Sequence, residues 1–407
     1  MKKLLSVLLA LAMLLTCMVA FSACGDEAAN NSGELTLENV KVGAIYITSQ
    51  NDTAGYTFAH HNGITTAMKK LGIPAENLYI VDNVAEDDTA VANAIDTLAG
   101  KGCNIIFGIS FGYLNAMNDA AAKEEYANIA FSHATGYLAN ETNFNNYFGR
   151  IYQARYLAGI AAGLKTLELS NNAVGYVAAY GTEYAETCSG INAFTMGVLS
   201  VNPDAQVYVK TINAWADETM EKQAAESLVN TYNVCVIAQH CDSAQPQLVA
   251  ANAGIFGCGY NSDMTEQAPA SHITAPIWNW DVYYAEAIKA AVNAPASEFV
   301  KNIGIYYGGL KEGFVDVSPV NAAAASAGTE ELISMVKELI ISGEWDVFSG
   351  VKLSYTQDAE GNWTIVKTDA DLVTNTGEVI VTAGGASVDD GVIKGSMNYY
   401  VAGVVAE

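Results

Sequence analysis

Short apolar runs alternate with longer segments whose apolar residues recur at helical spacing from residue 41 onward. The first part of this pattern predicts strands at 41–47, 78–84, 104–109 and 129–134 and helices at 56–71, 88–101 and 113–125. Strands that alternate with helices form a parallel sheet covered on both faces. The first third of the chain is therefore predicted to be a doubly wound α/β lobe.

The same alternation starts again after an apolar helix predicted at 150–165. It indicates strands at 173–179, 206–212, 234–239 and 255–259 and helices at 186–200, 217–231 and 244–253. Further on the pattern is less regular: 272–278 is predicted to be extended, 281–293 and 330–342 helical, and the last sixty residues short strands with a hairpin turn at 358–362. Two lobes of the same architecture follow from these two runs.

The lobes are expected to exchange chain segments, because few linker-like stretches separate them. We expect lobe 1 to comprise 40–150 and about 272–310, and lobe 2 about 151–271 and 311–407. Residues 1–23 are predicted to be a signal peptide and 24–39 a flexible tether.

The signal peptide is indicated by Lys2 and Lys3, an apolar run over 4–21 and the sequence Ser-Ala-Cys-Gly over 22–25. Small residues before Cys24 suit a signal peptidase, and the cysteine would then carry lipid. This predicts a protein anchored by Cys24 to the outer face of the cell membrane. A single transmembrane helix is the alternative, since the run is long enough to span a bilayer.

Charge narrows the range of partners. The chain of 407 residues has a formal net charge of −25, and so acidic a surface repels phosphate backbones. Nucleic acid is therefore not an expected partner. No nucleotide-triphosphate loop is present, and His60 and His61, adjacent on one predicted helix, lack zinc-site spacing. No metal and no cofactor are expected.

The cysteines beyond Cys24 are five, an odd number, and no C-x-x-C occurs among them. Most lie in or beside apolar strand-like runs, which favours buried free thiols. One disulfide is the alternative.

Ligands of parallel sheets bind beyond the carboxyl ends of the strands. The segments that follow the predicted strands are rich in aromatic and carboxylate side chains and nearly free of lysine and arginine. Such a lining suits a flat, neutral or weakly basic ligand that stacks on rings and donates hydrogen bonds to carboxylates. The segments are 48–56, 110–113, 133–136, 180–186, 240–242, 260–263 and 278–280.

A catalytic alternative comes from Gly108-Ile-Ser-Phe-Gly112, which fits the G-x-S-x-G pattern of a nucleophile elbow between a strand and a helix. Histidines that could complete a triad follow at His133, His240 and His272, but no glycine-rich oxyanion loop precedes the motif. A secreted serine hydrolase using Ser110 therefore stays an alternative. The other interpretation is a tight turn whose serine faces a ligand.

Seven motifs occur in an order that resembles the basic membrane protein family, the lipid-anchored substrate-binding proteins of ABC transporters. They are Tyr56-Thr-Phe-Ala-His-His-Asn-Gly63, Ser110-Phe-Gly-Tyr113, the run from Asn146 to Gly163, Gly190-Ile-Asn-Ala-Phe194, Gln239-His-Cys-Asp242, Gly259-Tyr-Asn-Ser-Asp263 and Trp278-Asn-Trp280.

The resemblance implies a type I periplasmic-binding-protein fold, with two lobes around a hinge cleft, and a purine base or nucleoside delivered to permease subunits rather than converted by an enzyme. It implies that Tyr56 stacks on the purine and that Asp263 and Glu186 lie in the cleft. We further expect Phe111 or Trp280 to oppose Tyr56 on the ring, and Asp242 and Asp263 to accept hydrogen bonds from the ligand. The expected ligand-binding residues are Tyr56, Ser110, Phe111, Tyr113, Tyr180, Glu186, Asp242, Asp263 and Trp280.

Specificity stays open at this point. Many nucleoside-binding members carry a basic residue that contacts the sugar, in the segment occupied here by Trp278-Asn-Trp280. A tryptophan in place of that basic residue resembles a subgroup of the family that binds a free base such as adenine. A sugar or a signalling molecule is a further alternative ligand for the same fold.

Overall fold

A computed structural model describes residues 34–406. Its strands, in chain order, are β1 (Val42–Tyr46), β2 (Leu78–Val81), β3 (Ile105–Ile109), β4 (Ala130–Ala134), β5 (Phe144–Gly149), β6 (Ala173–Ala178), β7 (Gln206–Thr211), β8 (Val236–His240), β9 (Phe256–Cys258), β10 (His272–Thr274), β11 (Pro276–Trp278), β12 (Tyr306–Gly308), β13 (Val315–Val317), β14 (Val351–Gln357), β15 (Trp363–Asp369), β16 (Leu372–Val373), β17 (Val379–Val381) and β18 (Val404–Ala406).

The α-helices of the described residues, numbered here along the chain, are α1 (Gly55–Leu71), α2 (Asp88–Gly100), α3 (Leu114–Ala121), α4 (Ile151–Leu169), α5 (Ala185–Val201), α6 (Glu218–Tyr232), α7 (Gln245–Asn252), α8 (Trp280–Asn293), α9 (Phe299–Ile303), α10 (Thr329–Ser342) and α11 (Asp390–Gly395). Nine of these helices occupy predicted places, whereas α9 and α11 were not predicted.

Two six-stranded sheets form the centres of the two lobes. The first has the order β12-β5-β4-β3-β1-β2 and the second β10-β9-β8-β6-β7-β18, and every pair within each sheet is parallel. The strands β1, β3 and β4 are buried along their whole length, as expected for sheets covered on both faces. The predicted architecture of two doubly wound parallel-sheet lobes is confirmed.

The chain passes between the sheets more than once. It leaves the first sheet after β5, builds the second as far as β10, returns for β12, and ends in the second sheet with β18. The strand His272–Thr274, which the sequence placed at the start of the second part of lobe 1, pairs with β9 in the second sheet. The extended segment continues as β11, which pairs antiparallel with β13.

The C-terminal part contains the predicted short strands. β14 and β15 pair antiparallel, and the turn between them is held by Asp358, whose side chain accepts from the main-chain amides of Glu360 and Asn362. The predicted hairpin turn is therefore confirmed. The five cysteines of the described residues are free and buried, as the apolar pattern predicted.

Candidate ligand-binding cleft

A cavity of about 970 Å³ lies between the two sheets, and its wall is built from both lobes. Most of its lining residues directly follow a strand or begin the next helix, which is where parallel α/β sheets bind ligands. A volume of this size accommodates a small organic molecule. Six of the nine predicted site residues line the cavity: Tyr56, Ser110, Phe111, Tyr180, Glu186 and Asp242.

Tyr56 stands in the first turn of α1, on the wall contributed by the first lobe. The helix begins at Gly55, whose φ is 85° and whose added Cβ would lie 2.3 Å from the main-chain oxygen of Asp242. Glycine therefore lets the start of α1 approach the second lobe closely. The ring of Tyr56 packs edge-on against His60, with centroids 4.2 Å apart. Its hydroxyl is buried without a partner among the described residues, and this burial raises the pKa of Tyr56.

Three carboxylates, those of Glu183, Glu186 and Asp242, line the wall contributed by the second lobe. Glu186 lies in the first turn of α5, and Asp242 follows β8. Asp242 accepts a hydrogen bond of 2.9 Å from the side-chain amide of Asn261. Burial, together with the nearby charges of Glu221 and Glu186, raises the pKa of Asp242 well above its ordinary value. A donor on a ligand would relieve this unfavourable environment of the charge.

A buried arginine lies behind these carboxylates. The guanidinium of Arg155 donates to the hydroxyl of Tyr176 at 2.8 Å and lies 4.0 Å from the ring centroid of Tyr260. Burial and, secondarily, this cation lower the pKa of His240 to about 4. His240 is therefore neutral at pH 7, and its Nε2 lies 3.2 Å from a carboxylate oxygen of Glu186, to which an N–H at this ring nitrogen can donate a hydrogen bond.

Aromatic side chains connect the two lobes along the exposed side of the cleft. Phe111 of the first lobe, 38% exposed, contacts Tyr184 of the second with ring centroids 6.2 Å apart. Tyr184 contacts Tyr180, which contacts Trp215, at 4.4 and 4.8 Å. Neither Tyr184 nor Trp215 was among the predicted site residues, although Tyr184 lies in the segment 180–186 that was expected at the cleft. Trp215 lies in the segment that follows β7, so the strand-end rule could have found it.

Three predicted site residues, Tyr113, Asp263 and Trp280, do not line the cavity in this structure. Tyr113 is buried and its hydroxyl donates to a main-chain carbonyl at 2.6 Å. Trp280 is buried with its ring stacked on His60, centroids 3.8 Å apart. The Asp263 side chain is 45% exposed; it accepts from the amide of Thr265 and borders a separate, open groove. Neither Asp263 nor Trp280 faces the cleft in this structure.

The hydrogen bonds of Ser110 do not match those of a catalytic triad. Its hydroxyl donates to a carboxylate oxygen of Glu86 at 2.5 Å. His133 contacts the main-chain carbonyl of Ser110 rather than its hydroxyl, at 2.8 Å. His240 contacts Glu186, and His272 lies 3.6 Å from Asp263. A nucleophilic serine needs a base within hydrogen-bond reach of its hydroxyl, and none of these histidines is bonded to it.

Cys24 and the predicted signal peptide lie outside the described residues. Within 34–406, no helix combines the length and the apolar character needed to span a bilayer.

Comparisons with known proteins agree with this architecture. A family model described as ABC transporter substrate-binding protein, PnrA-like, matches residues 40–347. A purine-binding protein of Brucella abortus is 33% identical over 368 residues, which cover 90% of this chain and 93% of the relative. A protein of Haloferax volcanii, named as a candidate glucose-binding protein of an ABC transporter, is 30% identical over 337 residues, covering 80% of this chain and 78% of the relative.

Among solved structures, an ABC transporter solute-binding protein from Conexibacter woesei superposes with a TM-score of 0.60 at 18% identity, covering 75% of this chain and 98% of the other. That likeness confirms the predicted fold of a periplasmic solute-binding protein. The extent of the family match, together with the full-length relatives, identifies this chain as a member of the PnrA-like basic membrane protein family of ABC transporter substrate-binding proteins.

Proposed function

We propose that this protein is an extracytoplasmic lipoprotein that binds a purine base or purine nucleoside in the cleft and delivers it to the permease of an ABC transporter. The observation that carries the proposal is the lining of the cleft, in which aromatic rings from both lobes surround the carboxylates of Glu186 and Asp242. The purine-binding relative from Brucella abortus supports the choice of ligand class.

A purine has two features that this lining would recognise. Its flat ring can stack on an aromatic side chain such as Tyr56 or Phe111, and each such contact is worth about 1 to 3 kcal/mol. Its N–H or amino groups, or the hydroxyls of an attached sugar, can donate to Asp242 and Glu186. An analogue that lacks the donor would leave a partly buried carboxylate unpaired, which costs about 1 to 3 kcal/mol.

Isothermal titration calorimetry with adenine, adenosine, guanosine, inosine, ribose, glucose and amino acids tests the ligand class. We expect at least one purine to bind, and Tyr56→Ala and Asp242→Ala each to weaken its binding about 10-fold or more. Asp263→Ala is the matched control, because its carboxylate lies outside the cleft. Binding of ribose, glucose or an amino acid without a response to any purine would refute the proposal.

A sugar is the second candidate ligand. It is supported by the relative from Haloferax volcanii and by the carboxylates of the cleft, which can accept from sugar hydroxyls as well as from a purine. The same titrations separate the two candidates, since glucose and ribose lack the flat ring. Hydrolysis of esters or nucleosides that disappears in Ser110→Ala would instead support the serine hydrolase.

Anchoring through Cys24 is part of the proposal. It is supported by the charged and apolar pattern of residues 1–23 and by the small residues that precede the cysteine. Cys24→Ser should leave the protein unprocessed or release it from the membrane fraction, as followed by fractionation and immunoblotting. Retention of a Cys24→Ser protein of mature size in the membrane would contradict it.

A further inference from the structure

Part of the cleft wall comes from a C-terminal helix that lies beyond the family match. The family model ends at residue 347, whereas α11 spans Asp390–Gly395. Three residues of α11 line the cavity: Gly391, Lys394 and Gly395. The C-terminal segment, residues 348–406, thus contributes to the same cavity as the two lobes.

Helix α11 is held firmly beside the cleft. Arg150, at the crossing from β5 to α4, donates to the carboxylate of Asp390 through Nε at 3.0 Å and through Nη2 at 2.5 Å. Beyond α11, the side chain of Asn192 on α5 donates to the carbonyl of Tyr399 at 2.8 Å and accepts from the amide of Val401 at 3.0 Å. These contacts attach α11 to the connection between β5 and α4 on one side, and attach the chain that follows α11 to the second lobe on the other.

Lys394 is the one lysine or arginine side chain on the cavity wall among the described residues. Its Nζ lies over the ring of Tyr307, 4.7 Å from the centroid. No carboxylate within residues 34–406 forms an ion pair with it. Its ammonium therefore keeps donors for another acceptor.

The rest of the wall lacks a cationic donor. Glu183, Glu186 and Asp242 line the same cavity, and an ionised carboxylate only accepts hydrogen bonds. Purines present acceptor atoms, such as ring nitrogens and carbonyl oxygens, beside their donors, and sugar hydroxyls also accept. A charged donor in the same cavity as these carboxylates complements such a ligand.

We propose that α11 is a functional wall of the ligand site and that Lys394 is a specificity-determining residue that donates a hydrogen bond to an acceptor atom of the bound purine or of its sugar. This inference rests on the function proposed above. It assigns a ligand contact to the C-terminal segment, which the family match does not cover.

Gly395 offers a second and independent probe of the same wall. It lines the cavity, and a Cβ added to it would meet no atom within 4 Å. A larger side chain at this position would therefore reduce the space for a ligand without a clash inside the protein. Gly395→Val tests whether α11 lies close enough to the ligand to reduce its space, whereas the Lys394 variants test the hydrogen bond proposed for the ammonium.

The experiment is calorimetry of Lys394→Met, Lys394→Arg, Gly395→Val and wild type with adenine, adenosine, guanosine and inosine. A hydrogen bond from a charged donor predicts that Lys394→Met weakens binding of the tightest purine about 10-fold or more. Lys394→Arg should retain more affinity than Lys394→Met, and Gly395→Val should also bind more weakly. Lys352→Met is the matched control, an exposed lysine of the same C-terminal segment on β14, and should bind like wild type.

The outcomes separate this inference from the function on which it rests. A wild type that binds a purine while Lys394→Met and Gly395→Val bind it equally well overturns the inference alone. A wild type that binds none of the four purines overturns the proposed function. Thermal unfolding of each unliganded variant is the check on folding, and we expect midpoints close to that of wild type because Lys394 and Gly395 are exposed.

Discussion

Asp242 combines a place on the cleft wall with an environment that disfavours its charge. The pKa of Asp242 is raised first by burial and then by Glu221 and Glu186, while a hydrogen bond from Asn261 acts in the opposite direction. Because the folded protein holds the proton more tightly than the unfolded chain does, the carboxyl destabilises the fold at every pH above its unfolded pKa of about 4. The destabilisation grows as the pH rises towards the folded pKa.

Asp242→Asn should therefore stabilise the unliganded protein. The amide has nearly the same shape, carries no charge, and can still accept from Asn261 through its oxygen. We expect the free energy of unfolding at pH 8 to rise by about 1 kcal/mol or more, and the gain to shrink as the pH falls towards 4. Urea denaturation at pH 8 and pH 4.5 measures both values, and equal or lower stability of Asp242→Asn at pH 8 would contradict the prediction.

Side-chain direction explains which site residues the sequence could predict. Asp242 closely follows β8, and Tyr56 begins the helix that follows β1, so the strand-end rule brings both to the cleft. Trp280 also follows a strand, β11, but its ring turns into the interior and stacks on His60. Asp263 turns back on Thr265 within its own loop. Whether a residue near a strand end faces the cleft depends on the local turn, which strand periodicity does not encode.

Polar residues within strand β5 made this strand impossible to recognise from the apolar pattern of the sequence. Its six residues are all buried, yet Asn145 and Asn146 interrupt the apolar run that would mark a strand. The structure accommodates them with hydrogen bonds: the side-chain amide of Asn145 donates to the hydroxyl of Tyr283 and to the carbonyl of Gly304. Because these partners come from distant parts of the chain, the apolar pattern alone could not predict β5.

The start of α1 offers a test of the close approach between the lobes. Gly55→Ala places a Cβ 2.3 Å from the main-chain oxygen of Asp242, in addition to straining a backbone with φ of 85°. Gly72→Ala is the matched control, since Gly72 ends the same helix with φ of 73° and no atom within 4 Å of an added Cβ. Strain alone costs about 1 to 2 kcal/mol.

We expect Gly55→Ala to reduce the free energy of unfolding, measured with urea, by clearly more than Gly72→Ala does. The difference reports the displacement of α1 from the second lobe, and it should be accompanied by weaker ligand binding in Gly55→Ala only. Equal losses of stability with unchanged binding in both variants would show that the contact at Gly55 is unimportant.

The acidic charge of the whole molecule bears on the kind of ligand that it takes up. A net charge of −25 attracts cations and repels anions over a distance of about 10 Å at 0.1 M salt. A neutral purine carries no net charge, so this field neither attracts nor repels it. We therefore expect its dissociation constant to change less than about 3-fold between 20 and 500 mM NaCl in calorimetry, whereas a cationic ligand would lose much more affinity. A steep dependence on salt would argue against a neutral ligand.

The two-lobed architecture was predictable because each lobe repeats a local pattern of strands and helices. The points at which the chain passes from one lobe to the other were harder to predict. Strands β12 and β18 have only three residues each, and their partner strands lie far away in the sequence. Short strands give little periodic signal, and their pairing depends on the finished sheets. For the same reason the sequence did not predict that β10, which starts at the boundary expected at about residue 272, pairs in the second sheet.

The interleaved strand order also bears on the timing of folding. The first sheet needs β12, which is synthesised after most of the second sheet, and the second sheet needs β18, which follows every other strand. Pairings between such distant segments form slowly, since loop closure must precede them. A nascent chain would therefore stay incompletely folded until its last strand had emerged from the ribosome. In the exported lipoprotein proposed above, this delay would keep the polypeptide unfolded enough for translocation, and the sheets would be completed on the outer side of the membrane.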